Sequence, residues 1–146
     1  MKTTPARIAL AVDGSNNSMK AAEYALALGK KIDAEVVAVH VIDLSSVFKM
    51  LPQATKKELI RIGRLGAKKI FKQVACLAEQ HDINTKTEVI ESSRSAADAL
   101  IRYAKARKID LIVVGTKGRS GMKKVLLGSV ASKVVTNAPC AVLVIP

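Results

Sequence analysis

Five short strand-like runs, four of them largely apolar, separated by amphipathic stretches, constrain this chain more than any other feature. They occupy residues 7–12, 35–41, 86–90, 111–114 and 141–145. In the second, Val36, Val37, Val39 and Val41 do not alternate with polar residues. A strand apolar on both sides must be covered on both faces, which is the situation of a parallel sheet between helical layers. The intervening segments carry the helical period. Ala22, Ala25, Leu26, Ala27 and Leu28 precede an exit between Gly29 and Ala34, and Leu59, Gly63, Gly66, Ile70, Val74 and Leu77 mark one face across residues 53–81. Ala96, Ala97, Leu100, Ile101 and Ala104 do the same across residues 95–107, and a last helix spans residues 129–137. Alternating strands and helices predict the α/β class: one doubly wound domain over residues 1–146, a five-stranded parallel sheet with helices on both faces, for which the order 3-2-1-4-5 is taken. Gly63 and Gly66 weaken an isolated helix, so both are expected at close helix contacts.

Composition narrows the function. Aromatic residues make up 3% of the chain and Trp is absent, which removes the platforms on which single-stranded bases stack. A formal charge of +12 favours an anionic partner. Part of it lies on one helical stripe, Lys57, Arg61, Arg64, Lys68 and Lys72, which reads either as a solvated face or as a nucleic-acid footprint. No apolar stretch approaches the ~18 residues of a membrane span and the start lacks a secretory core, so a soluble, cytoplasmic protein is expected. Cys76 and Cys140 form no metal or redox motif, and His40 and His81 read as strand-end and helix-end structure.

A doubly wound sheet binds ligands beyond the carboxyl ends of its strands, where the strand order reverses, here between the first and fourth strands. Asp13-Gly14-Ser15 follows the first. Gly115-Thr116-Lys117-Gly118-Arg119-Ser120-Gly121 follows the fourth and leads to Gly128-Ser129-Val130 at the last helix. Glycines bring backbone amides against phosphate oxygens, and the open amides of a helix N-terminus complete an anion cradle. Ser129 is expected at the cap position, with Lys117, Arg119, Lys123 and Lys124 adding positive field. Asp13 can organise its turn or touch a ligand. Neither GxxxxGK[ST] nor GxGxxG is present, which argues against a P-loop NTPase and a dehydrogenase.

The spacing Gly115-x2-Gly118-x9-Gly128-Ser129 has the form of the ATP-binding signature of the universal stress protein family. The chain resembles that family over nearly its whole length, through Ala11-Val12-Asp13-Gly14-Ser15, Asp110 to Gly121, Leu127-Gly128-Ser129-Val130-Ala131 and Ala138-Pro139-Cys140. The resemblance implies an adenine nucleotide alpha hydrolase-like fold and a stress-response or regulatory factor that binds ATP, ADP or AMP with Mg2+. It places Asp13 at the adenosine end, the Val41 backbone at the adenine edge, Gly115, Gly118 and Arg119 along the ribose and phosphates, and Gly128, Ser129 and Val130 at the phosphate tail. No residue stands out as catalytic or as a metal ligand. With Asp13 the only obvious acid near the crevice, slow ATP turnover is the upper expectation. The uncharged strand at residues 141–145 is expected at the sheet edge, and both its exposure and the resemblance imply a homodimer paired through it. The chain departs from the family pattern at Glu91-Ser92-Ser93-Arg94-Ser95, which lacks the usual glycine, and at Ala141, where a proline is common. The alternative is a nucleic-acid-associated or protein-interaction module acting through the Lys57 to Lys72 stripe.

Overall fold

The computed structural model describes residues 3–117 and 127–146. Along the chain these form β1 (Arg7–Ala11), α1 (Asn16–Ile32), β2 (Glu35–Asp43), α2 (Gln53–Gln80), β3 (Thr85–Ser92), α3 (Ala96–Ala106), β4 (Leu111–Gly115), α4 (Ser129–Asn137) and β5 (Ala141–Ile145). The strands make one parallel sheet in the order β3-β2-β1-β4-β5, as expected.

Successive strand residues point to opposite faces, so a continuous apolar run supplies two cores at once. Ile8, Leu10, Val36, Ala38, Leu111 and Val113 pack with α1 and α2, while Ala9, Val37, Val39, Ile112 and Val114 pack with α3 and α4. Fully burying a side chain such as Leu10 or Leu26 stabilises the fold by about 1.5–3 kcal/mol. The helices meet the sheet largely through alanines, Ala21, Ala22 and Ala25 from α1 and Ala97 and Ala104 from α3. From β1 to β3 the chain steps in one direction, with its helices on one face; from β3 it crosses β2 and β1 to reach β4, and its helices change face. Right-handed crossovers require that change when the direction reverses. The reversal separates β1 from β4 at their carboxyl ends.

Several elements differ from the periodicity. β2 and β3 continue to Asp43 and Ser92, which are paired with each other, because a backbone ladder does not need apolar side chains at its ends. The first helix closes within its expected exit, running to Ile32 with Asp33 in the left-handed region at φ 56°, so Gly29 itself does not end it. Gly29 is instead a contact: a Cβ there would lie 2.4 Å from Val36 Cγ2. Gly63 also packs as expected, since its Cβ would lie 2.9 Å from Ile42 Cδ1. Gly66 does not, for nothing lies within 4 Å of its Cβ position. Ala67, Ile70, Val74 and Ala78 bury α2.

These environments separate two glycines of equal helix propensity. Gly66→Ala should stabilise the protein by about 0.5–1 kcal/mol through the helix preference alone. At Gly29 the same change gains that preference but overpacks a stiff, buried valine, a penalty of about 1–3 kcal/mol. Urea denaturation should therefore show Gly66→Ala above the parent and Gly29→Ala below it.

Candidate functional site

A cleft of about 180 Å³ opens where β1 and β4 part. Its walls include Val12, Asp13 and Ser18 from the end of β1 and the start of α1, Val39, His40 and Val41 from β2, and Ala96 and Leu100 from α3. Val114, Gly115 and Thr116 close it beside β4, and Gly128, Ser129, Val130 and Ala131 form its end at α4. Six of the residues expected at a site, Asp13, Val41, Gly115, Gly128, Ser129 and Val130, thus come together. Gly118 and Arg119, with Lys123 and Lys124, lie outside the described residues.

The first wall is built by short-range hydrogen bonds. Asp13 Oδ1 accepts from the Ser15 amide at 2.9 Å, the Asx pattern that turns a chain, so Asp13 both shapes the turn and lines the cleft. Ser15 caps α1 by accepting from the Ser18 amide at 3.1 Å, and the Ser18 hydroxyl donates to the Ser15 carbonyl at 3.0 Å.

His40 is the residue that sequence reasoning missed. It is 8% exposed, inside β2 and not at its end, with Nδ1 2.8 Å from the Val12 carbonyl oxygen. A carbonyl only accepts, so that nitrogen carries the proton. The bond has a structural consequence. The Val12 amide still donates to the Val39 carbonyl at 3.0 Å, but the Val12 carbonyl is taken by the imidazole, and the β1–β2 ladder stops there. Val41 follows Val39 by two residues, so its N–H and C=O point toward the same side, past the end of β1 and into the cleft. A polar residue interrupting an apolar run was the available signal, because a buried polar group needs a partner.

The opposite wall ends in α4, whose cap is Gly128 at φ −65° and ψ 169°, an ordinary extended conformation. Ser129 is the first helical residue and not the cap, contrary to expectation. Gly128 offers no capping side chain, and the first-turn amides of Ser129, Val130 and Ala131 have no acceptor within the helix. No acidic residue stands in that turn. The loop that lacks the family's glycine closes with side chains instead: Ser92 Oγ accepts from the Arg94 amide at 3.0 Å and Asp43 Oδ2 from the Ala96 amide at 3.0 Å.

Away from the cleft, the stripe on α2 is exposed, with Arg61 paired to Glu58 at 2.6 Å and Arg64 to Glu91 at 2.9 Å. Exposed pairs of this kind contribute little to stability. Tyr103 donates to Glu88, and burial followed by that carboxylate pushes its phenol above the usual range. Both cysteines are free thiols, and burial raises that of Cys140. Among the described residues no group of three or more His, Cys, Asp or Glu is placed to hold a metal, and no helix is long and apolar enough to cross a membrane.

The topology and the cleft define a doubly wound α/β protein with an open crevice at its switch point, walled on one side by a turn carboxylate and on the other by a helix N-terminus. The profile of the universal stress protein family matches residues 5–146, and the chain belongs to that family. A universal stress protein of Methanocaldococcus jannaschii is 39% identical over 140 residues, covering 95% of this chain and 81% of the relative. The structure of UspA from Lactobacillus plantarum superposes with a TM-score of 0.82 at 30% identity, covering 96% of this chain and 97% of that one. A universal stress protein from Archaeoglobus fulgidus, solved in complex with dAMP, shares the fold with a TM-score of 0.71 at 18% identity over 96% of this chain and 97% of its own.

The assignment to His40 has a direct check. His40→Leu removes the ring nitrogen and leaves the Val12 carbonyl without its partner, which should cost about 1–3 kcal/mol in denaturant unfolding. A value indistinguishable from the parent would mean that the bond contributes nothing to the end of β1.

Proposed function

We propose that this protein binds an adenine nucleotide, ATP or its products, in the cleft between β1 and β4. The observation that carries the reading is the convergence there of a backbone edge and a helix N-terminus that, among the described residues, have no partner of their own. The N–H and C=O of Val41 offer a donor and an acceptor side by side, matching the ring nitrogen and exocyclic amine of adenine. Asp13 would sit toward the ribose, with Gly115 beside it, and the Ser129, Val130 and Ala131 amides toward the phosphates, where helix dipole and N–H groups favour negative charge. Gly118, Arg119 and Mg2+ belong to the same reading through the glycine signature. The dAMP complex of the Archaeoglobus fulgidus relative supports an adenine ligand. In a cytoplasmic stress or regulatory role the bound nucleotide would act as an occupied or empty state of the protein. With Asp13 the one acid among the described residues that line the cleft, and no P-loop in the sequence, turnover is expected below about 1 per second, the low end for ordinary enzymes.

A homodimer through β5 belongs to the same proposal. β5 is a sheet edge of five uncharged residues. The two helices that contact it, α1 and α4, each carry an exposed large apolar side chain. Tyr24, 53% exposed, stands two helical turns from Asn17, whose side chain reaches Ile145. Val135, on α4, is 47% exposed. An apolar edge framed on both faces suits antiparallel pairing with a second copy. The basic stripe of α2 supports the alternative, a nucleic-acid partner, whose binding would weaken steeply with salt.

Calorimetry and thermal melts test the nucleotide reading. ATP at 100 times its Kd should add about 2.7 kcal/mol, a rise of roughly 5–10 °C in Tm. Asp13→Ala should weaken binding, and Ala96→Leu should fill the cleft and abolish it. No heat and no Tm change with saturating ATP would refute the proposal. Light scattering should report twice the chain mass, falling toward the monomer in Val142→Lys/Val144→Lys.

A further inference from the structure

Asn17, in the first turn of α1, joins three segments that are distant in sequence. Its Oδ1 accepts from the Lys117 amide at 2.6 Å, and its Nδ2 donates to the Ile145 carbonyl at 3.3 Å. The partners fix the orientation of the side-chain amide, because a backbone N–H can only donate and a carbonyl can only accept. The Ile145 carbonyl also receives the Thr116 amide at 2.9 Å, and the Thr116 carbonyl receives the amide of Gly128. A chain of hydrogen bonds thus runs from the end of β5, through the exit of β4, to the cap of α4. Gly115 makes room for this arrangement: a Cβ there would lie 2.3 Å from Asn17 Oδ1 and 2.8 Å from its Cγ. The glycine expected to let backbone approach a phosphate is required in the first place by an asparagine.

We propose that Asn17 is a positioning residue of the nucleotide cleft: its side-chain amide sets the path of Gly115, Thr116 and Lys117 as they leave β4 and ties that path to the end of the edge strand. Asn17 does not itself line the cleft. Only a short side chain carrying one donor and one acceptor on a planar amide meets both partners. Aspartate keeps the acceptor for Lys117 and loses the donor for Ile145, and alanine loses both. This inference rests on the nucleotide reading above, since what Asn17 positions is the wall that would hold the ribose and phosphates.

The test uses the full chain and two measurements, hydrogen exchange of the Lys117 backbone amide without nucleotide and the affinity for AMP by calorimetry. Asn17→Ala should speed Lys117 exchange at least tenfold and weaken AMP binding about tenfold, the scale of one half-buried hydrogen bond. Asn17→Asp should restore the Lys117 protection, which also carries the test if the alanine variant fails to fold. Gly115→Ala, which leaves Asn17 in place but displaces its amide, should speed Lys117 exchange as much as Asn17→Ala does, and the double variant should add nothing further. The proposal is overturned if Asn17→Ala leaves Lys117 exchange or AMP affinity within twofold of the parent, or if Lys117 exchanges as fast with aspartate as with alanine. A parent that binds AMP while Asn17→Ala binds equally well sinks only the role of Asn17. A parent that binds neither AMP nor ATP sinks the nucleotide reading, and this one with it.

Discussion

The cleft depends on where the hydrogen-bond ladder of β1 stops. β1 is paired on both sides and covered on both faces, so nothing within the strand itself ends the pairing. The end comes at Val12, whose amide continues the ladder to Val39 while its carbonyl is diverted to the His40 ring. Beyond that point β2 runs on to Asp43 beside a space that β1 no longer fills. On the other side, Thr116 turns from the end of β4 toward Ile145, away from β1. Two hydrogen bonds to carbonyls at the sheet's carboxyl edge thus convert a topological reversal into a cleft with exposed backbone.

The glycines show how one residue type answers different physical demands. Gly29 and Gly63 let helices approach valine and isoleucine side chains of β2. Gly115 leaves room for a side-chain amide, and Gly14, at φ 85°, meets a backbone requirement that other residues satisfy poorly. Gly66 faces open space, and nothing in the structure explains it. A glycine in a helical pattern signals close approach only when something stands opposite, and that is a property of the partner.

The two sheet edges contrast in the same way. β3 carries Lys86, Glu88 and Glu91, each engaged in an ion pair, with Glu35, Arg107 and Arg64 respectively. Such charges discourage another strand from pairing there. β5 has none. At that uncharged edge the exit of β4 meets the end of β5, through the Thr116 amide and the Ile145 carbonyl.

The amino-acid pattern by itself determined the class of fold, and the order 3-2-1-4-5 taken for that class put the crevice between the first and fourth strands. Continuous apolar runs and 3.6-residue periods are properties of neighbouring residues, and the handedness of crossovers leaves few ways to join them. It also pointed to Asp13, Gly115, Gly128, Ser129 and Val130, because strand ends and helix starts can be read locally, and the family resemblance added Val41; all six stand together in one cleft. Tertiary structure alone decided what His40, Asn17 and Gly115 do. His40 meets a carbonyl 28 positions away, and Asn17 meets partners 100 and 128 positions away, with Gly115 shaped to admit it. An imidazole in a strand or an amide in a helix carries no mark of its partner in the local sequence. Its role exists only once folding has brought the other group within about 3 Å, where a hydrogen bond forms.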